Sequence, residues 1–516
     1  MEETTFIERL RGQMRRHPDR AVFRTASGKE LTYGQLDEQS NNVAAFLLRE
    51  NPDRHVVMVY GHKSPFMLVC MVACLKVGCP YSPADISYPT TRINSILEQL
   101  EEPLVFVTQP AEMEFKDAAR VIDYPELQEI AAQAADPVDE ALCSKGDDIS
   151  YILFTSGSTG KPKGVAQRTE TLDAMSEYFP TYLPEGASED NPVVVFNRVP
   201  FSFDVSVFDM TMVLPCGHTM FSLEEESEAS LAKTFAALGE SGLAGWVSTP
   251  SFLTMCLSDP SFNRELLPNA GSFVLCGEVL PNATCRKFFE RFPGAKIYNT
   301  YGPTETQSMT DILVTPEMAN DEKPIPIGVA CPYADAVVGD RETGRELPVG
   351  EHGELFVFGR TLAWGYIGLP ERTAKSFCDR PDHDGVMRRS YATGDEVYLG
   401  EDGLIHYIGR YDLQLKINGF RVELSEIEET LNGMPEVSMS CVVPITRGGQ
   451  ATALAAHIVT AAGVEGDRAL TKQLKAALKE TLPAYMIPRT FVYQDELVTN
   501  SNGKIDRKLL QKEHES

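Results

Sequence analysis

Hydrophobic and polar residues follow two different periods in the first 150 residues. Apolar side chains recur at helical spacing over residues 36–48, and residues 65–77 predict a second helix. Short unbroken apolar runs at residues 56–60 and 104–107 are typical of buried strands. Because helices and strands alternate, this part of the chain is predicted to form a doubly wound α/β layer.

Three later segments share one pattern, an apolar strand that ends in a small-residue or polar turn. They cover residues 245–252, 273–280 and 297–308. Ligands of open α/β sheets bind where the strands end. We therefore expect these turns to contribute to a ligand site.

Farther along, short strands separated by turns rich in Gly, Pro and Asp predict a small β subdomain at about residues 320–411. Two strands at about residues 437–443 and 453–459 and an amphipathic helix over residues 470–481 then predict a compact α+β unit. The predicted fold class is therefore α/β. A large N-terminal domain, residues 1–411, combines doubly wound α/β subdomains with the β subdomain, and a small α+β domain, residues 412–516, follows it.

Composition narrows the function classes. The chain has 516 residues, 43% of them hydrophobic and 23% charged, as in ordinary globular proteins. A net charge of −27 disfavours nucleic acid as a partner, since phosphate backbones bind basic surfaces. The eleven cysteines include no CxxC pair, which disfavours disulfides and a zinc site. No apolar leader segment and no 18-residue uncharged apolar stretch is present, so we predict a cytoplasmic protein without membrane insertion.

Residues 154–164, with the sequence FTSGSTGKPKG, follow a predicted buried strand and combine three glycines, two lysines and four hydroxyl side chains. Glycines let the backbone approach a polyanion, while N–H groups, hydroxyls and lysines bind its oxygens. The segment is not a Walker A loop, because Pro162 follows Lys161 where that motif has Ser or Thr. A mobile polar surface loop is the alternative interpretation.

Asp204 lies among Phe203, Val205 and Phe208. A carboxylate in apolar surroundings is costly unless it has a partner, so Asp204 is expected to face a cation. The alternative is a structural role as a helix N-cap.

The string TSGSTGKPKG resembles the phosphate loop of the adenylate-forming superfamily, which includes acyl-CoA synthetases, firefly luciferases and the adenylation domains of nonribosomal peptide synthetases. Five further motifs match in the family's order: FDVS (203–206), YGPTE (301–305), YATGD (391–395), GR (409–410) and GK (503–504). The resemblance implies that Glu305 holds Mg²⁺, that Asp204 holds a substrate ammonium, and that the C-terminal domain is mobile about a hinge at Asp412.

The resemblance also implies three sets of site residues. The catalytic set is Lys504, Glu305 and Thr155. The ATP-binding set is Thr155, Ser156, Gly157, Ser158, Thr159, Gly160, Lys161, Asn299, Thr300, Tyr301, Gly302, Thr304, Asp395, Arg410 and Lys504. The substrate-binding set is Asp204, Val205, Cys276, Gly302, Ser308 and Lys504.

Proteins of this family use ATP and Mg²⁺ to turn a carboxylate into an acyl-adenylate, which a thiol then attacks. Within the family the chain most resembles members that activate a small D-amino acid, D-alanine above all, for teichoic acid D-alanylation. The segments that carry this resemblance are GHKSPFM (61–67), FSFDVSVFD (201–209), WVSTPSF (246–252), LCGEVLP (275–281) and ERFPGAKIYNTYGPTE (290–305). This resemblance implies a separate phosphopantetheinylated carrier protein as partner, since no carrier motif follows Lys504. Ser308 and Thr300 depart from the residues usual at their positions and leave the exact amino acid open.

Four alternatives remain at this point. The chain could be a free-standing peptide-synthetase-type enzyme for a small L-amino acid, or one for D-serine. It could be an acyl-CoA or aryl-CoA ligase, which Asp204 disfavours because such a ligase has no ammonium to bind. A catalytically inactive nucleotide-binding or scaffold protein is disfavoured by the presence of Glu305, Asp395, Arg410 and Lys504.

Overall fold

Helices and strands alternate from the start of the chain, as the sequence predicts. The computed structural model describes residues 5–157, 161–412, 414–447, 450–498 and 505–514. Up to residue 155 the elements are α1 (Phe6–Arg16), β1 (Ala21–Thr25), β2 (Glu30–Thr32), α2 (Tyr33–Glu50), β3 (Val57–Gly61), α3 (Pro65–Val77), β4 (Tyr81–Asp85), α4 (Thr90–Leu97), β5 (Leu104–Val107), β6 (Arg120–Ile122), α5 (Tyr124–Ala132) and β7 (Ile149–Thr155).

The alternation continues to residue 320. The elements of this part are β8 (Lys163–Arg168), α6 (Thr169–Tyr178), β9 (Val194–Asn197), α7 (Ser206–Val213), β10 (Thr219–Ser222), α8 (Glu225–Glu228), α9 (Leu231–Glu240), β11 (Leu243–Ser248), α10 (Pro250–Leu257), β12 (Ser272–Cys276), α11 (Asn282–Arg291), β13 (Lys296–Tyr301), β14 (Thr310–Leu313) and α12 (Pro316–Asn320).

Strands dominate the next ninety residues, and an α+β unit follows them. The strand-rich part has β15 (Val329–Ala330), β16 (Ala334–Gly339), β17 (His352–Gly359), β18 (Gly365–Tyr366), α13 (Pro370–Ser376), β19 (Phe377–Pro381), β20 (Met387–Leu399) and β21 (Ile405–Arg410). The last part has β22 (Gln414–Ile417), β23 (Phe420–Glu423), α14 (Leu424–Asn432), β24 (Val437–Arg447), β25 (Gln450–Thr460), α15 (Arg468–Thr481), β26 (Thr490–Tyr493) and α16 (Arg507–Lys512).

Two large sheets form the N-terminal domain. One has nine strands in the order β15-β14-β13-β12-β11-β9-β10-β1-β2, and the other has seven in the order β18-β8-β7-β4-β3-β5-β6. The pairs β10·β9, β9·β11, β11·β12 and β12·β13 are parallel, as expected for strands joined through helices. The predicted α/β fold is confirmed.

Local sequence explains where the early helices begin and end. Helix α3 starts after Ser64, whose hydroxyl accepts the N–H of Phe66, and Pro65 stands at its first position, where no N–H is needed. It ends at Gly78, which has a φ of 66°. This helix matches the predicted range exactly, whereas α2 extends beyond residues 36–48 because Thr32 and Gln35 form a capping box at its start.

The small domains form separate sheets. Strands β16, β17, β20 and β19 form a five-stranded sheet with β21, which pairs with β20. The C-terminal part has the hairpin β22–β23 and the sheet β24-β25-β26, on which Leu470, Leu474 and Leu478 of α15 pack. Within the described ranges, no helix is long and apolar enough to cross a bilayer. The cytoplasmic location stays a prediction.

Candidate active site

The ends of β7, β12 and β13 meet the β22–β23 hairpin at a cavity of about 590 Å³. Three strands and a hairpin that are far apart in the sequence thus contribute to one site, as expected at the strand ends of an α/β sheet. Eleven residues predicted from the sequence line the cavity: Thr155, Ser156, Asp204, Asn299, Thr300, Tyr301, Gly302, Thr304, Asp395, Arg410 and Asp412.

Glu305 is fully buried beside this cavity and has three partners. Its carboxylate accepts hydrogen bonds from Lys163 Nζ at 3.1 Å, Arg421 at 2.7 Å and the hydroxyl of Tyr366 at 2.8 Å. Burial alone would raise the pKa of Glu305, but Arg421 and Lys163 outweigh it and hold that pKa well below its usual range. Glu305 is therefore an anion at neutral pH.

Lys163, the first residue of β8, is the lysine of the phosphate segment that points inward. Burial and the neighbouring Arg421 lower the pKa of Lys163 to about 8, while Glu305 opposes the shift. Lys161, in contrast, is exposed and lies 3.5 Å from Glu98. Lys161 is the ATP-binding lysine that the sequence predicts, and that role stays a prediction, whereas Lys163 was not among the predicted site residues.

The described residues of the phosphate loop carry hydrogen-bond donors that a phosphate group could use. Some have no partner among the described residues, and the others contact the C-terminal domain. The Thr155 hydroxyl is buried and has no hydrogen-bond partner among the residues that the structure describes. Ser156 donates to the carbonyl of Arg421 at 2.9 Å, and the Gly157 N–H donates to Glu426 at 3.3 Å. A Cβ on Gly157 would lie 2.0 Å from the Lys161 carbonyl oxygen, so only glycine fits. The predicted residues Ser158, Thr159 and Gly160 lie outside the described residues.

Glu426 of α14 joins the two domains at this loop. Its other oxygen lies 3.1 Å from the guanidinium of Arg92, and the two side chains are only 1% and 2% exposed. A carboxylate from the C-terminal domain thus contacts the N–H of Gly157, which was predicted to bind a phosphate. In the same way, the guanidinium of Arg421 contacts Glu305, the predicted Mg²⁺ ligand. The C-terminal domain therefore places an anion and a cation where a metal–polyphosphate pair is expected.

We expect Glu426→Gln to slow thiol transfer by about 10-fold or more and to leave adenylate formation nearly unchanged. The substitution keeps the shape but leaves Arg92 buried without a counter-charge, which costs about 3–5 kcal/mol in this domain arrangement. Single-turnover rates of the two half-reactions measure the effect. Glu429→Gln, an exposed position on the same helix, is the matched control. Equal slowing of both half-reactions would contradict the expectation.

A second network of hydrogen-bonded polar and charged side chains also lines the cavity. The hydroxyl of Tyr301 donates to Asp395, which also accepts from Arg410 at 2.6 Å. Burial raises the pKa of Asp395, and Arg410 opposes that shift. Arg410 also binds the predicted hinge residue Asp412 at 2.7 Å, so the junction of the domains is tied to the site.

Replacing the hinge residue tests its role. We expect Asp412→Pro to impair one half-reaction at least about 10-fold more than the other, because proline fixes φ near −65° and restricts rotation at the hinge. Asp412→Ala is the control, since it removes the contact with Arg410 without fixing the backbone. Wild-type rates of both half-reactions in Asp412→Pro would show that residue 412 is not the pivot.

The predicted substrate residues take different positions. Asp204 lines the cavity and accepts a hydrogen bond from the hydroxyl of Thr304. It does not cap a helix, because α7 begins at Ser206 without a side-chain cap. Val205 is buried in the core, and Cys276 is buried at the end of β12, next to Gly277 in the cavity wall. Burial raises the pKa of the Cys276 thiol.

Ser308 is buried behind Gly302. An added Cβ on Gly302 would lie 1.6 Å from the carbonyl oxygen of Gln307, which shows how tightly the two segments pack. The Ser308 hydroxyl has no hydrogen-bond partner in the described ranges of the chain. Within the described part of the chain, Val205, Cys276 and Ser308 are not among the residues that line the cavity. The predicted catalytic residue Lys504 lies outside the described residues.

The hairpin between β22 and β23 was missed as a site element. The N–H of Gly419 at its turn donates to Glu278 at 2.8 Å, and Phe420 packs against Phe203 at a tilt, with ring centroids 5.2 Å apart. Gly419 has a φ of 83°, and a Cβ there would lie 2.3 Å from Thr249. The sequence NGFRVE could have indicated this hairpin. Its glycine allows the turn to come close to another segment, and its arginine is a charged strand residue that can reach into a site.

The match to family models covers most of the chain. Residues 10–367 match the model described as AMP-binding enzyme, and residues 426–504 match the AMP-binding enzyme C-terminal domain. The chain therefore belongs to the family of AMP-binding enzymes, and the predicted family is confirmed. A relative from Bacillus licheniformis, named D-alanine--D-alanyl carrier protein ligase, is 37% identical to this chain, over 98% of this chain and 99% of that protein. The relative of that name from Bacillus cereus is 39% identical over 96% of each chain.

Solved structures agree with this placement. An NRPS protein containing adenylation and PCP domains, bound to a vinylsulfonamide inhibitor, has a TM-score of 0.85 and 25% identity, covering 99% of this chain and 84% of that chain. The amide bond synthetase McbA from Marinactinospora thermotolerans has a TM-score of 0.83 and 20% identity, covering 99% of this chain and 100% of that chain. The latter shows a shared fold alone.

Proposed function

We propose that this chain is an ATP-dependent, AMP-forming ligase that activates D-alanine and transfers it to the phosphopantetheine thiol of a separate carrier protein, for D-alanylation of teichoic acids. The observation that carries the proposal is the identity of 37–39%, over nearly the whole chain, to D-alanine--D-alanyl carrier protein ligases. The site is consistent with it, because Asp204 offers a carboxylate to an ammonium inside the cavity. The enzyme works in the cytoplasm in this proposal, where ATP is available.

In the first half-reaction the amino-acid carboxylate attacks the α-phosphorus of ATP, which gives the aminoacyl-adenylate and pyrophosphate. The protein supplies positioning and charge rather than a covalent intermediate. Thr155 and the Gly157 N–H donate to phosphate oxygens, Tyr301 packs on the base, and Asp395 accepts from the ribose hydroxyls. Lys504 neutralises charge that develops between the carboxylate and the α-phosphate.

Glu305 is the residue that would hold Mg²⁺, because a buried anionic carboxylate is a suitable ligand for this hard cation. The metal neutralises phosphate charge when it is bound. In the present arrangement, the carboxylate of Glu305 accepts hydrogen bonds from Lys163, Arg421 and Tyr366. Arg421 therefore withdraws with the C-terminal domain when Glu305 acts as a metal ligand.

In the second half-reaction a thiol attacks the adenylate carbonyl, AMP leaves, and the thioester forms. The arrangement of the domains suits this step, because Arg421 pairs with Glu305, the residue that would hold Mg²⁺, and Glu426 accepts the Gly157 N–H, which would donate to pyrophosphate. The cavity extends between the domains past Gly419 to Gln450 and Lys508, which gives a long flexible thiol arm a route to the adenylate.

The decisive experiment is ATP–pyrophosphate exchange with a panel of amino acids. We expect D-alanine to give the fastest exchange among D-alanine, L-alanine, D-serine, glycine and propionate. Preference for D-serine would point to the Ser308 hydroxyl, which lies behind the cavity wall and has no hydrogen-bond partner among the described residues. Preference for an L-amino acid or a non-amino carboxylate would overturn the substrate while leaving adenylation intact.

The choice between enantiomers gives a further prediction. With ammonium and carboxylate both fixed, the D and L forms exchange the positions of methyl and hydrogen, so a wall residue can discriminate by contact. Cys276 does not line the cavity itself but adjoins two wall residues, Gly277 in the chain and Thr300 on β13, and would act by positioning them. We expect Cys276→Ala to lower the preference for D-alanine over L-alanine by about 10-fold, within the roughly 10- to 200-fold effect of a methyl-sized difference.

The measurement is kcat/KM for both enantiomers. Cys285→Ala, at a buried thiol on α11, is the matched control and should keep the wild-type ratio. An unchanged ratio in Cys276→Ala would assign Cys276 to the core alone.

A further inference from the structure

The C-terminal domain brings two histidine rings together at the end of the described chain. His457 of β25 is fully buried, and its Nε2 atom lies 3.0 Å from Nε2 of His514. The ring centroids are 5.1 Å apart and the planes meet at 69°. The N–H of Thr446 donates to the carbonyl of His514 at 3.3 Å, which fixes the chain end on the sheet. The two rings are therefore aimed at one point from different segments.

A carboxylate completes this group. One oxygen of Glu513 lies within 4.8 Å of a nitrogen of each histidine, and the three ligand atoms are all within that distance of one another. Glu513 is exposed, so the group is open to solvent on one side. A hydrogen bond between the rings accounts for the 3.0 Å distance but leaves the converging carboxylate without a role.

We propose that His457, Glu513 and His514 form a binding site for one zinc ion. Two imidazole nitrogens and one carboxylate oxygen are a ligand set that zinc accepts, with a fourth position for water. Two nitrogens at about 2.0–2.1 Å from a tetrahedral ion lie about 3.3 Å apart. The measured 3.0 Å thus needs only a small outward shift, and the solvent-facing Glu513 gives the ion its route of entry.

The site has a structural consequence for the proposed enzyme. Helix α16 ends directly before Glu513, and three of its residues, Arg507, Lys508 and Gln511, line the cavity between the domains. The start of the helix is held by Arg507, which binds Glu428 at 2.5 and 2.6 Å. Zinc bound at Glu513 and His514 would hold its far end on β25. The ion would therefore stabilise the cavity wall and takes no part in the chemistry.

The test uses the full chain without a polyhistidine tag and adds Zn²⁺ in the presence of excess Mg²⁺, which occupies carboxylate sites such as Glu305. Calorimetry should show one equivalent of Zn²⁺ bound. Co²⁺ in its place should give the visible absorption of a four- or five-coordinate nitrogen–oxygen site. Hydrogen exchange of the α16 amides should slow on addition of Zn²⁺. These readouts do not depend on the proposed activity, so their failure and failure of the ligase function are separable.

Variants decide the assignment. His514→Ala and Glu513→Gln should each weaken zinc binding by about 10-fold or more, and both change partly exposed side chains, so folding is preserved. His352→Ala, at an exposed histidine on β17, is the control and should bind like the wild type. The proposal is overturned if the wild type binds no stoichiometric zinc, or if His514→Ala and Glu513→Gln bind as tightly as the wild type.

Discussion

Replacing Lys504 by alanine is expected to slow adenylate formation by at least about 10²–10³-fold, the usual cost of removing one group that stabilises charge in a transition state. In the proposed mechanism Lys504 bridges the attacking carboxylate and the α-phosphate, and its charge is needed only while that bond forms. Transfer of the aminoacyl group from a supplied adenylate should then proceed at a nearly wild-type rate.

Separate assays of the two half-reactions check this expectation. ATP–pyrophosphate exchange reports the first, and loading of the carrier from synthetic D-alanyl-adenylate reports the second. Lys512→Ala, at an exposed lysine on α16, is the matched control and should leave both rates unchanged. If Lys504→Ala slows both half-reactions equally, the lysine has a structural role or acts in both steps.

Local patterns predict most of the fold because they need only neighbouring residues. Helix α3 and strand β5 have exactly the predicted ranges, since an N-cap serine, a proline at the first turn and unbroken apolar runs act over a few positions. Strand β24 continues beyond the predicted residue 443 to Arg447. Pairing with β25, rather than hydrophobicity, sets that end, because Thr446 and Arg447 pair with Ala451 and Gln450.

The ionic partners at the site could not be predicted in this way. Glu305 was expected to hold a metal, but its contact with Arg421 joins residues 116 positions apart on two domains. Nor does a KPKG string tell which lysine faces inward. That depends on the start of β8 at Lys163 and on the buried anion opposite it. Motifs therefore identify the binding chemistry, while the tertiary structure decides which charges neutralise one another.

The charged residues between the two domains link the domain arrangement to the order of the reaction steps. Glu426 is a buried ion and Arg421 is a largely buried one, so both need partners, which they find on Glu305, Arg92 and Gly157. Magnesium and pyrophosphate would compete for these partners. We infer that the present arrangement is favoured only after pyrophosphate has left, which couples product release to entry of the thiol.

Asp204→Ala is expected to lower kcat/KM for D-alanine by roughly 30- to 5,000-fold, which corresponds to about 2–5 kcal/mol for removing one partner of a desolvated charge pair. Asp204 faces the cavity, and the one hydrogen bond it accepts from a side chain comes from Thr304 in the part of the chain that the structure describes. Its charge is therefore available for an ammonium group.

Asp204→Asn separates the charge from the hydrogen bond. The amide oxygen can still accept from Thr304, so a purely structural role predicts nearly wild-type activity, whereas ammonium binding predicts a loss close to that of the alanine variant. Propionate provides the second arm, because it lacks the ammonium and should be activated as poorly by the wild type as by either variant. Discrimination between D-alanine and propionate should thus shrink in both variants. If it stays at the wild-type value while overall activity falls, Asp204 positions Thr304 and another group binds the ammonium.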